Sequence, residues 1–228
     1  MRDLALWPVD FRSAASLFLV AEIIERFPLF PLGLVLLPRE VVPLHIFEER
    51  YKLMIGECLD AGREFGILWL ADDGLKEIGC SAEITEVLER TEDGRMNILV
   101  QGTRPLRLLR RLDDLDYPAG DIELLDEDPP GEDPDAGGKA RATYAELVEK
   151  VTDSRPSESD LGELDAYGMA ATLDFALEAK QDLLEQRSEA ERLESLAELF
   201  SATLRRLEHS ERAAERAQGN GKVRFEGV

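Results

Sequence analysis

The sequence predicts an α+β protein: a mostly antiparallel β-barrel with one inserted helix, followed by a C-terminal α-helical bundle. The first observation behind this is the run from Phe27 to Met54, where Pro28, Pro31, Pro38 and Pro43 interrupt short apolar stretches. Proline fixes φ and removes a backbone donor, so strands around it must be short and must lie at edges or corners of a small barrel. The second is periodicity. Up to about Leu125 apolar residues recur in short β-prone runs, broken once by helical spacing, and after Gly138 the spacing is helical to the end. The third is an acidic, proline-containing stretch that separates the two patterns.

Each element follows in order. Leu34-Val-Leu-Leu37 and Val41-Val-Pro-Leu-His-Ile46 are short runs bounded by turn residues, and both read as strands. From Glu48 to Ala61 the period changes: Tyr51, Met54, Ile55, Cys58 and Leu59 fall on one helical face, and Gly62 ends the helix. Glu48 and Glu49 suit the positive end of its dipole. Phe65-Gly-Ile-Leu-Trp-Leu70 is apolar throughout, as in a strand buried on both faces, and Asp72-Asp-Gly74 turns the chain. Ile78 to Leu88 alternates with a slip that predicts a bulge. Glu92-Asp-Gly94 predicts a hairpin into the strand Met96–Gln101. A further strand after Gly102 carries Leu106 and Leu108 on one face, and Tyr117–Leu125 supplies the last.

Residues 113–135 hold eleven acids, no Lys or Arg, and four prolines. Beyond them Ala140–Val151 reads as a helix, and Asp160 to about Ala179 as one or two more. Ser188, with Glu191 three residues later, forms a capping-box pattern opening a long helix striped by Leu193, Leu196, Phe200 and Leu207. Gly219-Asn-Gly221 closes it. The expected organisation is an N-terminal extension (1–25), a barrel (26–125), an acidic linker (126–138), a helical part (139–217) and a tail (218–228).

Composition narrows the function. The chain has 228 residues, is 44% hydrophobic and 33% charged, and carries a net charge of -21. Neutralising phosphates takes clustered Lys and Arg, so this surface repels nucleic acid, and it equally disfavours anionic membranes. Arg12 and Glu22 bracket only nine uncharged residues, too few to span a bilayer. Two cysteines, Cys58 and Cys80, make neither a disulfide framework nor a metal-ligand spacing, which suits a reducing cytoplasm.

Taken together, several segments resemble one family. They are Phe27-Pro-Leu-Phe-Pro-Leu, Leu37-Pro-Arg-Glu-Val-Val-Pro-Leu, Ile46-Phe-Glu-Glu-Arg-Tyr, Ile78-Gly-Cys and Asp93-Gly-Arg…Val100-Gln-Gly-Thr-Arg. In their order they are similar to the N-terminal, substrate-binding domain of Lon-type ATP-dependent proteases, and Glu178-Ala-Lys-Gln-Asp-Leu-Leu-Glu with Glu191-Arg-Leu-Glu-Ser-Leu looks like its helical half. The resemblance implies a PUA-like barrel joined to helices. It also implies a non-catalytic role: binding unfolded or extended polypeptide, or a protein partner, as an adaptor in protein turnover.

Catalytic chemistry finds little footing. Gly137-Gly-Lys139 is the one candidate phosphate loop, but Asp133 stands where a P-loop needs its first glycine and Ala140 where it needs Ser or Thr. His45 and His209 are the only histidines and have no third ligand nearby, so no metal or other cofactor is expected. Arg104, Arg107, Arg110 and Arg111 form the one basic cluster. It raises an alternative, an RNA- or small-ligand-binding barrel, but pairing with the acidic strand that follows is the reading favoured here.

The binding surface is therefore placed on the proline-broken run, at Phe27, Leu29, Phe30, Leu32, Leu34 and Val35, as an apolar groove or open sheet edge for an extended peptide. On that placement, Asp at Phe30 and Val35 abolishes peptide binding and leaves the fold intact. A binding assay paired with circular dichroism checks both halves of the expectation.

Overall fold

A computed structural model describes residues 22–126 and 136–220. Strands β1 (Glu22–Leu32) and β2 (Val41–Ile46) precede helix α1 (Glu49–Ala61). Strands β3 (Phe65–Ala71), β4 (Gly74–Arg90), β5 (Met96–Leu112) and β6 (Ala119–Leu124) follow. Then come α2 (Ala136–Thr152), α3 (Glu158–Gly162), α4 (Ala166–Ala170), α5 (Leu177–Glu185) and α6 (Glu189–Asn220). Among the described residues no helix is long and apolar enough to cross a membrane.

The prolines do what their chemistry requires. Strand β1 pairs antiparallel with β6 from Glu22 to Pro28 and parallel with β3 from Leu29 to Leu32. Pro28 and Pro31 thus each lie on a half-strand with a ladder on one side only, where a missing N–H costs no pair. Leu29, at the changeover, donates its N–H to the Pro118 carbonyl (2.9 Å). The pairing begins at Glu22, so residues 22–25 belong to the barrel and not to an N-terminal arm.

Pairing runs β2-β5-β4-β3-β1-β6, and β5 pairs with β6 as well. That second pairing returns the sheet on itself as β1–β3–β4–β5–β6–β1, with β2 added along the first half of β5. The two strands expected either side of Gly102 are one, because β5 runs through it and bends. At the bend Cys80 pairs with Pro105 and Ala82 with Gly102, so β5 has an extra residue. Buried Ser81 fills the interrupted ladder. Its hydroxyl donates to the Arg104 carbonyl (3.1 Å), accepts from the Arg104 N–H (3.2 Å) and lies 2.6 Å from Thr103 Oγ1.

Leu34–Leu37 is not a strand but an irregular run, with Val35, Leu36 and Leu37 buried. It ends in a turn at Arg39 (φ 68°), whose N–H bonds the Gly102 carbonyl (2.7 Å) while Gly102 donates back to Glu40 (2.9 Å). A Cβ on Gly102 would stand 2.1 Å from the Leu37 carbonyl oxygen, so only glycine admits this contact. Backbone partners at Gly102 thus replace a ladder for this run.

Two clusters make the core. A small one inside the barrel holds Phe27, Leu29, Leu68, Leu106, Ile122 and Leu124. The larger one is continuous from barrel and α1 residues such as Phe30, Ile55 and Phe65 to Tyr144, Met169, Leu184 and Phe200 of the helices. The stretch 160–179, expected as one or two helices, is broken into α3, α4 and the start of α5. Arg192, 1% exposed, ties these pieces to α6: it donates to the Gln186 carbonyl (2.7 Å), pairs with Glu189 (3.1 Å) and lies over the Tyr167 ring (4.5 Å).

The helical part and the barrel are also joined by an ion pair, Lys180 Nζ to Glu40 Oε1 at 2.5 Å, with side chains only 9% and 12% exposed. The other Glu40 oxygen accepts the Leu37 N–H (3.0 Å). Removing one member of such a pair leaves a buried charge uncompensated. Lys180→Met is expected to lower stability by about 3 kcal/mol, and Glu40→Gln in the same chain to recover part of that. Urea unfolding of both variants measures it.

Candidate functional site

At one mouth of the barrel the ends of several elements leave a cavity of about 740 Å³. Its walls come from the end of β1 (Leu29–Leu32), the end of β2 with the first turn of α1 (His45–Tyr51), the β3–β4 hairpin (Leu70, Leu75) and the chain between β5 and β6 (Arg111–Ala119). The floor is apolar because alternation along the strands that turns Leu29 and Leu75 into the barrel leaves their outer ends at the mouth. Around it stand two large apolar side chains that face water, Phe47 (57% exposed) and Leu70 (53% exposed).

The walls are braced. Tyr51 packs under Phe30 with ring centroids 4.1 Å apart, and the Arg50 guanidinium covers the Tyr51 ring at 4.6 Å. Tyr117 donates to Glu57 (2.6 Å) and accepts from Arg63 (3.0 Å), which ties the β5–β6 connection to α1. Burial pushes both tyrosine hydroxyls above their ordinary range, and for Tyr117 the bond to Glu57 adds to it. Neither is poised for proton transfer near neutral pH. His45 makes a 2.6 Å hydrogen bond from Nδ1 to Asn97 and stacks on Phe47 at 5.7 Å, so it positions the exposed phenyl ring.

The six residues placed on the binding surface from sequence separate in the structure. Leu29, Phe30 and Leu32 line the cavity, while Phe27, Leu34 and Val35 do not. Phe27, Leu29, Phe30 and Val35 are also core side chains, from 2% to 7% exposed. Asp at Phe30 or Val35 therefore cannot leave the fold intact, which corrects that part of the expectation: a charge in either place has no partner and no water. Phe47 and Leu70 were missed. The available signal was local: Phe47 sits outside the β2 alternation, just before the helix, and Leu70 ends the apolar run of β3.

The remaining candidates resolve as follows. Arg104 pairs with Glu22 (2.9 Å), Arg107 with Glu123 (3.2 Å) and Arg110 with Asp121 (2.6 Å), so most of the basic cluster is neutralised across β1 and β6. Arg111 instead lines the groove. Gly137-Gly-Lys139 lies within α2 and forms no loop. Among the described residues no three His, Cys, Asp or Glu side chains are grouped to hold a metal. Both cysteines are buried and free, and burial pushes each thiol up, Cys80 the further. Low thiolate content and no access predict that Ellman's reagent leaves native protein unlabelled and labels both thiols in guanidinium.

With the barrel, its closing strand and its mouth in view, the comparisons place the molecule. It belongs to the family described as the ATP-dependent protease La (LON) substrate-binding domain, which its sequence matches over residues 26–202. Among solved structures it is similar to the Lon N-terminal domain protein from Xanthomonas campestris, with 25% identity and a TM-score of 0.58 over 76% of this chain and 97% of that one. It shares its fold with the N-terminal domain of the Mycobacterium avium complex Lon protease, at 22% identity and a TM-score of 0.58, over 78% of this chain and 98% of that one.

Proposed function

We propose that this chain is a non-catalytic module that holds unfolded or extended polypeptide in the groove at the barrel mouth, serving as an adaptor in protein turnover. The observation that carries this reading is the groove itself. Its volume of about 740 Å³ lies within the range of ligand sites, about 300–1,000 Å³, its floor is apolar, and Phe47 and Leu70 extend that apolar surface into solvent. Apolar side chains of an unfolded segment would enter it, with Leu29, Phe30 and Leu32 as floor and the two exposed residues as clamps. The rim offers both signs of charge, Arg50 and Arg111 against Glu48, Asp113 and Asp116, and so excludes few sequences. Membership in a family of substrate-binding domains supports the same reading.

The tied arginines argue against the RNA-binding alternative, since phosphate contacts would have to break three ion pairs.

Phe47→Asp and Leu70→Asp are surface changes, expected to move stability by no more than about 0.5 kcal/mol. They are expected to weaken binding of a fluorescent, permanently unfolded polypeptide by roughly tenfold or more, as loss of an anchor does. Fluorescence anisotropy with thermal unfolding as the companion measurement decides it: full binding by both variants overturns this placement.

A further inference from the structure

The last four residues of β1, Leu29–Leu32, all line the groove, and one side of the strand is open there. On the side of β3 they are paired, from Leu29 with Gly66 to Leu32 with Trp69. On the other side the ladder with β6 stops at Pro28 and Ala119, and residues 113–118 belong to no strand. One bond follows the ladder, from the Leu29 N–H to the Pro118 carbonyl (2.9 Å), and both residues line the groove. That bond fixes the directions of the backbone groups. The N–H and C=O of a strand residue leave on the same side, and successive residues alternate. Leu29 and Pro31 therefore turn their carbonyls away from β3, toward the groove wall that holds Pro118, while Phe30 and Leu32 serve β3.

Neither carbonyl meets a donor among the described strands. Opposite Leu29 stands Pro118, which has no N–H to return, and opposite Pro31 there is no strand residue. Pro31 has no N–H of its own, so the open edge presents acceptors only. A backbone carbonyl beside an apolar floor is costly without a donor. The partial negative charge of this edge also decides what complements it. A second copy of the chain, brought edge to edge, would set oxygen against oxygen, which is how proline on an edge blocks sheet-to-sheet pairing. An unfolded segment instead brings N–H groups.

We infer that the polypeptide in the groove lies as an added strand beside the end of β1, prolonging the line of β6, and donates one backbone N–H to the Pro31 carbonyl. Pro118 fills the place opposite Leu29, so the added strand begins opposite Pro31. An extended segment puts alternate side chains on one face, and that set enters the apolar floor while the other set faces out. The substrate class is then an extended segment with apolar residues at alternate positions and a free N–H at one fixed place, where proline is refused. This rests on the reading of the groove as a polypeptide site.

The test uses the full chain and a short fluorescein-labelled peptide with alternate apolar residues, N-methylated on its backbone at one position at a time. Fluorescence anisotropy gives the affinities. One N-methyl position is expected to weaken binding roughly tenfold, as loss of a hydrogen bond to an otherwise unpaired carbonyl does, while the positions on either side change little. An ester in place of that same amide, which removes the N–H without adding a methyl group, is expected to reproduce the loss. Pro31→Ala gives the edge a donor and is expected to tighten the unmodified peptide severalfold, with thermal unfolding to show that the barrel is intact. Equal binding of all the methylated peptides, an equal loss at every position, or a loss that the ester does not reproduce overturns the inference while the groove stands. An intact Pro31→Ala chain that binds as before does the same. Failure of the unmodified peptide to bind overturns the groove reading and this inference with it.

Discussion

The fold turns on the hydrogen bonding of β5. This strand of 17 residues pairs with β4 from Met96 to Arg107, with β2 from Met96 to Gln101 and with β6 from Leu106 to Leu112. Because one strand serves three partners, the sheet can close without a sixth strand in the ring. Closure fixes where β1, β3 and β6 end, and those ends make the mouth. A straight β5 could not do this. The bend near Gly102 and the extra residue beside Ser81 are what let its two halves face different neighbours.

From the same bend hangs the union of barrel and helices. Gly102 admits the Leu37–Glu40 run to backbone distance, and that run delivers the Glu40 carboxylate to Lys180 on α5. Two charges so shielded do not raise stability over an apolar pair as a rule, but removing either one leaves the other buried and uncompensated. Gln181, next to Lys180, adds a second tie by donating to the Ile78 carbonyl of β4.

Much of the fold was legible in local chemistry. Gly62 stops α1 in the left-handed conformation (φ 59°), Gly94 (φ 81°) serves the β4–β5 hairpin, and four prolines fall where a single ladder or a turn tolerates them. The site was less legible. Apolar residues at Phe27, Phe30 and Val35 looked like a surface because their run is broken by prolines, yet they are core. Hydrophobicity marks a side chain as wanting cover and does not say whether the cover is the protein or a partner. Phe47 and Leu70, which do face water, differ from their buried neighbours in sequence only by standing where the β2 alternation and the β3 apolar run end.

The sequence by itself determined the periodicities, the turns, the acidic surface and the family, because each depends on neighbours a few residues apart or on composition alone. Only tertiary structure decided that β5 is one bent strand, that Leu34–Leu37 is irregular, that Arg104 turns to Glu22 while Arg107 and Arg110 meet the acidic strand as expected, and that Leu32, Phe47, Leu70 and Tyr117 meet around one opening. Those facts depend on which strand lies beside which. The pairing of β1 with β6, across 91 to 102 residues of chain, is chosen by the closing of the whole barrel, and no local pattern encodes it.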